Sequence, residues 1–402
     1  MMRKAALSLS LVLSVMISPL FAKDKIKNSD SQSNECVENI ELRASDGGLY
    51  LDQCHIQDRD IPQILFFLNE HPEITRLSIS DNQIGYQGAE LLSTNTHIRY
   101  LFLTGNRIGS LGAEALANNT SLVYLLLGDN HIGPYGAEAL ANNNTLIFLS
   151  LDGNPIGSSG AKSLAKNTSL IHLSLKRSQI GAEGAKALFA NQTLKSLYIG
   201  NNRLGNEGVA SLDRNQSLNF IDLENNNIGK DGVEVIARKP NLRYLTLDNN
   251  PIQNEGVFFL AQASTLEWLS LVGCSIGSEG AQSLSELSRL TLLNIDNNLI
   301  GDEGIAVLAK MRSLSNLYAD NNLIGDDGAK ILAKAVQLQN LSLSHNYIGD
   351  DGALALAETV TLYTLDVSFN HITAIGIKAL KSNEVLSYLN IEGNPGHKRN
   401  IF

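Results

Sequence analysis

The chain has 402 residues and 43% hydrophobic content, too apolar for a disordered polymer. Its formal charge of −10 excludes a phosphate backbone as the natural partner, because an acidic surface repels nucleic acid. The length would suit two or three globular domains, but a repeat array overrides that expectation because it grows by stacking and has no single closed core.

Residues 1–22 have the layout of a secretory signal peptide: basic Arg3 and Lys4, an apolar run over 5–22, and small Ala22 before Lys23. The run is also long enough for an uncleaved membrane anchor; Pro19 and Ala22 favour cleavage. No other segment is long and apolar enough to span, so the mature chain is expected to be exported to a periplasm, a cell surface or the medium. Residues 23–45 read as a polar tail and the start of an N-terminal cap. Residues 46–73 read as a degenerate capping repeat, visible as LYLDQCHI at 49–56. In an exported chain Cys36 and Cys54 can form a bridge that staples this cap. The plainer alternative is that Cys54 and Cys274, which stand where other units have Asn, are small buried residues.

From residue 74 to 397 the chain is periodic. The first apolar anchor of each unit falls at Ile74, Ile98, Leu122, Leu146 and onward to Leu386, each step being 24 residues. Positions 1, 4 and 6 are apolar, as in Leu122, Leu125 and Leu127, and the alternation of 4 and 6 is the period of a strand with one buried face. Position 9 is Asn in most units, for example Asn130 and Asn154; a buried amide must be satisfied, and stacked Asn side chains can bridge backbone groups where strand bends into loop. Glycines at positions 12 and 15, such as Gly109 and Gly112, allow tight turning and close approach. The AxxLA that follows has helical spacing. Each unit is thus one strand, a turn, one helix and a return loop. None can bury its apolar face alone, so neighbours must stack. Parallel strands lie about 4.8 Å apart and packed helices about 8–10 Å, so the stack must curve. The expected fold is an α/β solenoid, a horseshoe with a parallel concave sheet and convex helices, ending in a short tail over 398–402.

This LxxLxLxxNxIGxxGAxxLA pattern resembles the leucine-rich repeat, specifically the ribonuclease-inhibitor-like class and its bacterial GALA-type branch. The resemblance covers 74 to about 397. It implies a binding role without naming a partner. Some GALA-type proteins act as adaptors for ubiquitin ligase machinery through an F-box, but residues 23–45 are too short for such a domain.

Positions 3, 5, 7 and 8 face outward on the concave sheet and are free to vary. Position 3 carries Tyr100, Tyr124, Phe148, His172, Phe220, Tyr244 and Trp268, and position 5 adds Phe102 and Tyr198, in a chain that is only 6% aromatic. We expect these exposed aromatics to form a partner-binding stripe; the alternative is a cross-strand ladder that stabilises the sheet. Position 7 adds acids, among them Asp152, Glu224 and Asp248, which would steer a basic, partly apolar protein partner. Stacking on sugars is a further use for such rings. Self-association through the C-terminal edge, as in an envelope protein, is another outcome, because edge strands invite pairing.

The eight histidines form no metal-ligand spacing, no EF-hand loop, phosphate-cradling loop or nucleophile elbow is present, and no catalytic set or cofactor is expected. Sequons occur at Asn118, Asn119, Asn143, Asn167, Asn191, Asn215 and Asn340, and a eukaryotic secretory pathway would offer them for glycosylation.

Overall fold

The computed structural model describes residues 35–397. The signal-peptide reading of residues 1–22, most of the polar tail and residues 398–402 therefore lie outside the described part. Within it, a single sheet of sixteen strands runs in chain order, each paired with its sequence neighbour. The hairpin Ala44–Ser45/Gly48–Tyr50 is antiparallel, and every later pair is parallel and in register, as in Tyr100↔Tyr124 and Leu101↔Leu125. After the two-residue Ala44–Ser45 the strands are three residues long, and each from Arg76–Ser78 to Thr364–Asp366 is followed by a helix, for instance Gly109–Ala117 and Pro134–Ala141. One continuous apolar core runs from Val37 to Ile391 between sheet and helices.

The cap is a full unit of 28 residues, since Leu49 pairs with Leu77. Its helix, Ile61–Glu70, is longer than those of the early array and has Pro at its start, where a missing N–H costs nothing. Cys36 and Cys54 are joined by a disulfide, tying the first described helix, Glu35–Glu38, to the loop after Gly48–Tyr50. Cys274 is free and buried.

Two asparagine ladders hold the coils together. In the first, Asn154 is fully buried. Its Oδ1 accepts from the backbone N–H groups of Asn130 and Ile132, both at 2.9 Å, and its Nδ2 donates to the carbonyls of Leu127 at 2.8 Å and Leu151 at 3.0 Å. Every described coil with Asn at this position keeps the bridge, the Asn accepting at least one backbone N–H of the preceding coil and donating to a carbonyl of that coil. Ser178 and Cys274 replace it; each donates to two carbonyls but does not reach the preceding coil's N–H groups, which bond within their own turn instead, Ile156 N–H to Asn154 O at 2.7 Å and Ile252 N–H to Asn250 O at 2.8 Å.

The second ladder lies after the helices. Asn143 donates to the carbonyls of Ala117 and Asn119 at 2.9 Å and accepts from the N–H groups of Thr145 and Leu146. Asn119, Asn167, Asn191 and Asn215 repeat it. These are sequon asparagines, so the glycosylation expectation needs correction there: all five amides are buried and spent on the fold, and an N-linked sugar would remove a ladder step. Lys239 takes the next step, its buried amine donating to Asn215 O at 2.8 Å, and burial lowers its pKa to about 8. Ala263, Leu287, Met311 and Ala335 then continue the column as plain core.

The glycine at position 15 is set by helix approach. A Cβ on Gly112 would meet Ile108 Cγ2 at 2.6 Å and Ala89 Cβ at 3.0 Å.

Candidate functional site, the concave face

The outward strand positions bring the predicted aromatics together as two ring stacks. Tyr100, Tyr124, Phe148 and His172 stack in order, with centroids 4.9, 5.7 and 6.1 Å apart. Ser196 interrupts the column. Tyr198, Phe220 and Trp268 form the second stack, at 4.7 and 6.0 Å, with Tyr244 6.5 Å from Trp268. Cations lie against ring faces: Arg76 over Tyr100 at 5.3 Å, Lys176 over Tyr198 at 5.8 Å and Arg243 over Tyr244 at 5.4 Å.

The expected exposure of these rings is corrected. Phe102, Phe148, Tyr198, Phe220 and Trp268 are buried, Phe220 being only 1% exposed, while Tyr100, Tyr124 and Tyr244 are half-buried. The cause is spacing: strands about 4.8 Å apart put rings at stacking distance, and side chains on a concave surface converge. Each ring spends its faces on its neighbours. The floor is therefore a ladder with a partly open rim, and stacking of sugars on free ring faces is disfavoured.

The acidic column is also partly spent. Asp152 accepts from Ser174 Oγ at 2.6 Å and from the Lys176 N–H at 2.8 Å. Asp248 repeats this with Ser270 Oγ at 2.6 Å and the Val272 N–H at 2.9 Å. Asp52 does so with Ser78 and Ser80, and Asp320 with Ser342 and Ser344. An Asp at position 7 thus clamps the Ser at position 5 and the backbone at position 7 of the next coil. The role of Asp152 and Asp248 as free steering charges is corrected: they are tied into the sheet, and Glu224, half-buried beside Asp222, is the one of the three outside a clamp. The signal was in the sequence, as an Asp followed 22 residues later by Ser. Asp222 at position 5 pairs with Lys176. Burial pulls the Lys176 amine down, but Asp222, with Asp152 and Glu224 nearby, outweighs it and holds the pKa above its usual value.

Burial raises the Asp152 carboxyl and pushes Asp248 from 3.8 to about 6, with Asp222 and Glu224 adding to the rise against the two hydrogen bonds. A carboxyl whose folded pKa is raised binds its proton more tightly when folded. Its contribution to stability is therefore greatest below the unfolded value and is lost as pH rises through the folded one. The gap bounds the effect at about 3 kcal/mol, less after solvent screening. Asp248→Asn keeps an acceptor for both donors. Thermal melts should show it at least as stable as the parent at neutral pH, with a flatter stability profile between about pH 4 and pH 6; an unchanged profile would contradict the assignment.

Four polar atoms on this face are buried without a hydrogen-bond partner in the described chain: His172 Nδ1, Tyr198 Oη, Trp268 Nε1 and Asn294 Nδ2. Burial lowers the His172 pKa, so its ring is kept neutral, and raises that of Tyr198, keeping its proton in place. Sequence reading named Tyr198 and Trp268 but missed Asn294, which shares the position-5 column with Ser270 and Tyr318. Among the described residues no cluster of His, Cys, Asp and Glu is arranged to hold a metal ion. No described helix is long and apolar enough to cross a membrane.

Two family profiles, both described as leucine rich repeat, match the chain. One covers residues 72–132 and 192–252. The other covers 142–165, 166–189, 262–285, 288–309, 338–357 and 360–381. No curated protein matches. Among solved structures, an internalin from Listeria monocytogenes is 24% identical, covering 86% of this chain and 99% of that one with a TM-score of 0.52. A PEPR1–AtPEP1 structure is 20% identical over 83% of this chain and 46% of that one, with a TM-score of 0.45. A TDR receptor is 18% identical over 80% and 65%, with a TM-score of 0.43. These likenesses are of fold. The two profiles together span more than half of the chain, and the in-register coils between them repeat the same plan: the chain belongs to the leucine-rich repeat family.

Proposed function

We propose that the chain is an exported, non-enzymatic scaffold that seats a protein partner on its concave face. The observation that carries the reading is the set of unpartnered polar atoms on that face, His172 Nδ1, Tyr198 Oη, Trp268 Nε1 and Asn294 Nδ2. Each buried group without a partner costs about 1–3 kcal/mol. A partner that shifts the covering rings aside, and then supplies acceptors to the tyrosine, indole and amide and a donor to the imidazole, recovers that cost. The half-buried rims of Tyr100, Tyr124 and Tyr244 add hot-spot residue types around the same floor, and Glu224 adds the steering charge. Export rests on the leader over 1–22. A helix after each strand from Arg76–Ser78 to Thr364–Asp366 supports the ribonuclease-inhibitor-like, GALA-type class. In a host-associated bacterium such a protein would serve as a secreted host-interaction factor. A self-associating envelope protein or a ubiquitin ligase adaptor has no comparable observation in its favour.

The test is capture of target-cell proteins on the mature chain, followed by calorimetric titration of the captured protein against the parent and Trp268→Phe. That change removes the indole N–H and keeps a ring in the stack. About tenfold weaker binding by a variant with unchanged melting supports the reading. Equal affinity, or a second copy of the chain as the sole captured species, overturns it.

A further inference from the structure

A second surface lies on the loops that lead from strand to helix in the C-terminal coils. Leu299, Leu323, Tyr347 and His371 occupy position 10 of four successive units, and His345 and Phe369 occupy position 8 of two of them, a position expected on the concave sheet that lies instead in the turn after each three-residue strand. All six are exposed, Leu299 at 59%, Tyr347 at 58%, Leu323 at 47% and Phe369 at 46% among them. Coils spaced about 4.8 Å apart make this a strip roughly 15 Å long. Its rings are ordered against one another: His345 stacks on Phe369 at 4.4 Å and Tyr347 on His371 at 5.9 Å.

Two members sit in backbone conformations that oppose them. Leu323 has φ +62° and Phe369 φ +55°. Earlier units fill the same left-handed places with Asp129, Asn201 and Asn225 at position 8, and His131, Arg203 and Asn227 at position 10. A bulky apolar residue is disfavoured both in that conformation and in water. The strip therefore carries two costs that polar residues in the same loops avoid.

The surroundings give its chemistry. The helices that follow these loops open with Asp302 and Glu303, Asp326 and Asp327, and Asp350 and Asp351. Asp302, Asp326 and Asp350 accept the N–H groups of Gly325, Gly349 and Thr373 across the coil boundary, which holds these carboxyl groups beside the loops. Lys330 lies among them, 3.1 Å from Asp351 and 3.9 Å from Asp327.

We infer that this strip is a docking surface, separate from the concave face, for an extended protein segment that alternates basic with aromatic or aliphatic side chains. The apolar side chains lie on Leu299, Leu323, Tyr347 and Phe369, and the cations face the flanking carboxylates.

The probe is a short fluorescein-labelled peptide alternating Lys and Phe, with controls carrying Glu for Lys or Ser for Phe. It is titrated by anisotropy into the full mature chain, Leu299→Asn/Leu323→Asn, and Trp268→Phe. The inference expects saturable binding to the parent and to Trp268→Phe, and binding weaker by about tenfold or more in the double variant. It expects the double variant to melt at or above the parent, because Asn suits both loops and relieves Leu323. Equal binding by the double variant, or by the Ser control, overturns it, since charge alone then explains the peptide. A large drop in melting temperature of the double variant overturns it as well, because the leucines then serve the fold. Binding seen only in a chain ending at residue 397 also overturns it, because the chain's own last residues then occupy the strip. Failure of the concave-face reading leaves each of these outcomes unchanged, because Trp268→Phe is carried as a separate arm.

Discussion

Replacing Asn154 by alanine is expected to cost about 3–5 kcal/mol, among the largest effects of any single change in the array. The side chain is fully buried and joins two coils. Without it, the N–H groups of Asn130 and Ile132 and the carbonyl of Leu127 lose their partner where water does not reach, at about 1–3 kcal/mol for each group left unsatisfied, while the Leu151 carbonyl keeps the backbone N–H of residue 154 at 3.3 Å. The chain itself supplies the control. At Ser178 and Cys274 a shorter side chain still satisfies carbonyls while the neighbouring N–H groups turn inward. Asn154→Ser is therefore expected to cost roughly half as much as alanine. Denaturant unfolding of the two variants checks both numbers. Equal, small losses would mean that the ladder follows the coil geometry and does not stabilise it. Because the bonds of Asn154 join only adjacent coils, the loss should appear first as local opening around residues 127–156 in hydrogen exchange.

Phe220→Ala is expected to cost about 3–5 kcal/mol, the range for removing a fully buried phenylalanine. Phe220 lies in the second ring stack, between Tyr198 at 4.7 Å and Trp268 at 6.0 Å, and is 1% exposed. Trp268 is the chain's single tryptophan, so its emission reports on the same site. The variant should unfold at lower denaturant and emit further to the red, because the indole loses its cover. A variant of parental stability would show that the rings lie on the sheet without supporting it. Tyr124→Ala should cost less than Phe220→Ala, since Tyr124 is half-buried.

These two expectations show which parts of the molecule are legible in one sequence. Period, register and core follow directly: a 24-residue step with apolar positions 1, 4 and 6 leaves no other way to bury Leu122, Leu125 and Leu127. The Asn ladder at position 9 follows from the same register, because an amide recurring beside a strand end must be satisfied by the coils on either side. The concave face is legible only in part. Alternation says that Phe148 and Trp268 point away from the core. It does not say that neighbouring rings cover them, which depends on the distance between coils and on the curvature. Asp152 and Asp248 misled for a related reason. Read down one column they are a row of charges; their serine partners lie in another column, one coil later. The sequons at Asn143 and Asn167 sit in what reads as loop, yet their 24-residue recurrence was the same sign that marked the first ladder. Leu323 and Phe369 could have been found by asking which units break the polar habit of positions 8 and 10.

The concave ring floor supports the sheet, and in the proposed function it also seats a partner. The most direct measurement is Trp268 emission while the captured partner is titrated into the unmodified mature chain, with melting followed in parallel. The account predicts a saturable change in emission at the stoichiometry of binding, together with a raised melting temperature. Binding that saturates while Trp268 emission stays fixed would contradict it, leaving the rings as a structural ladder alone.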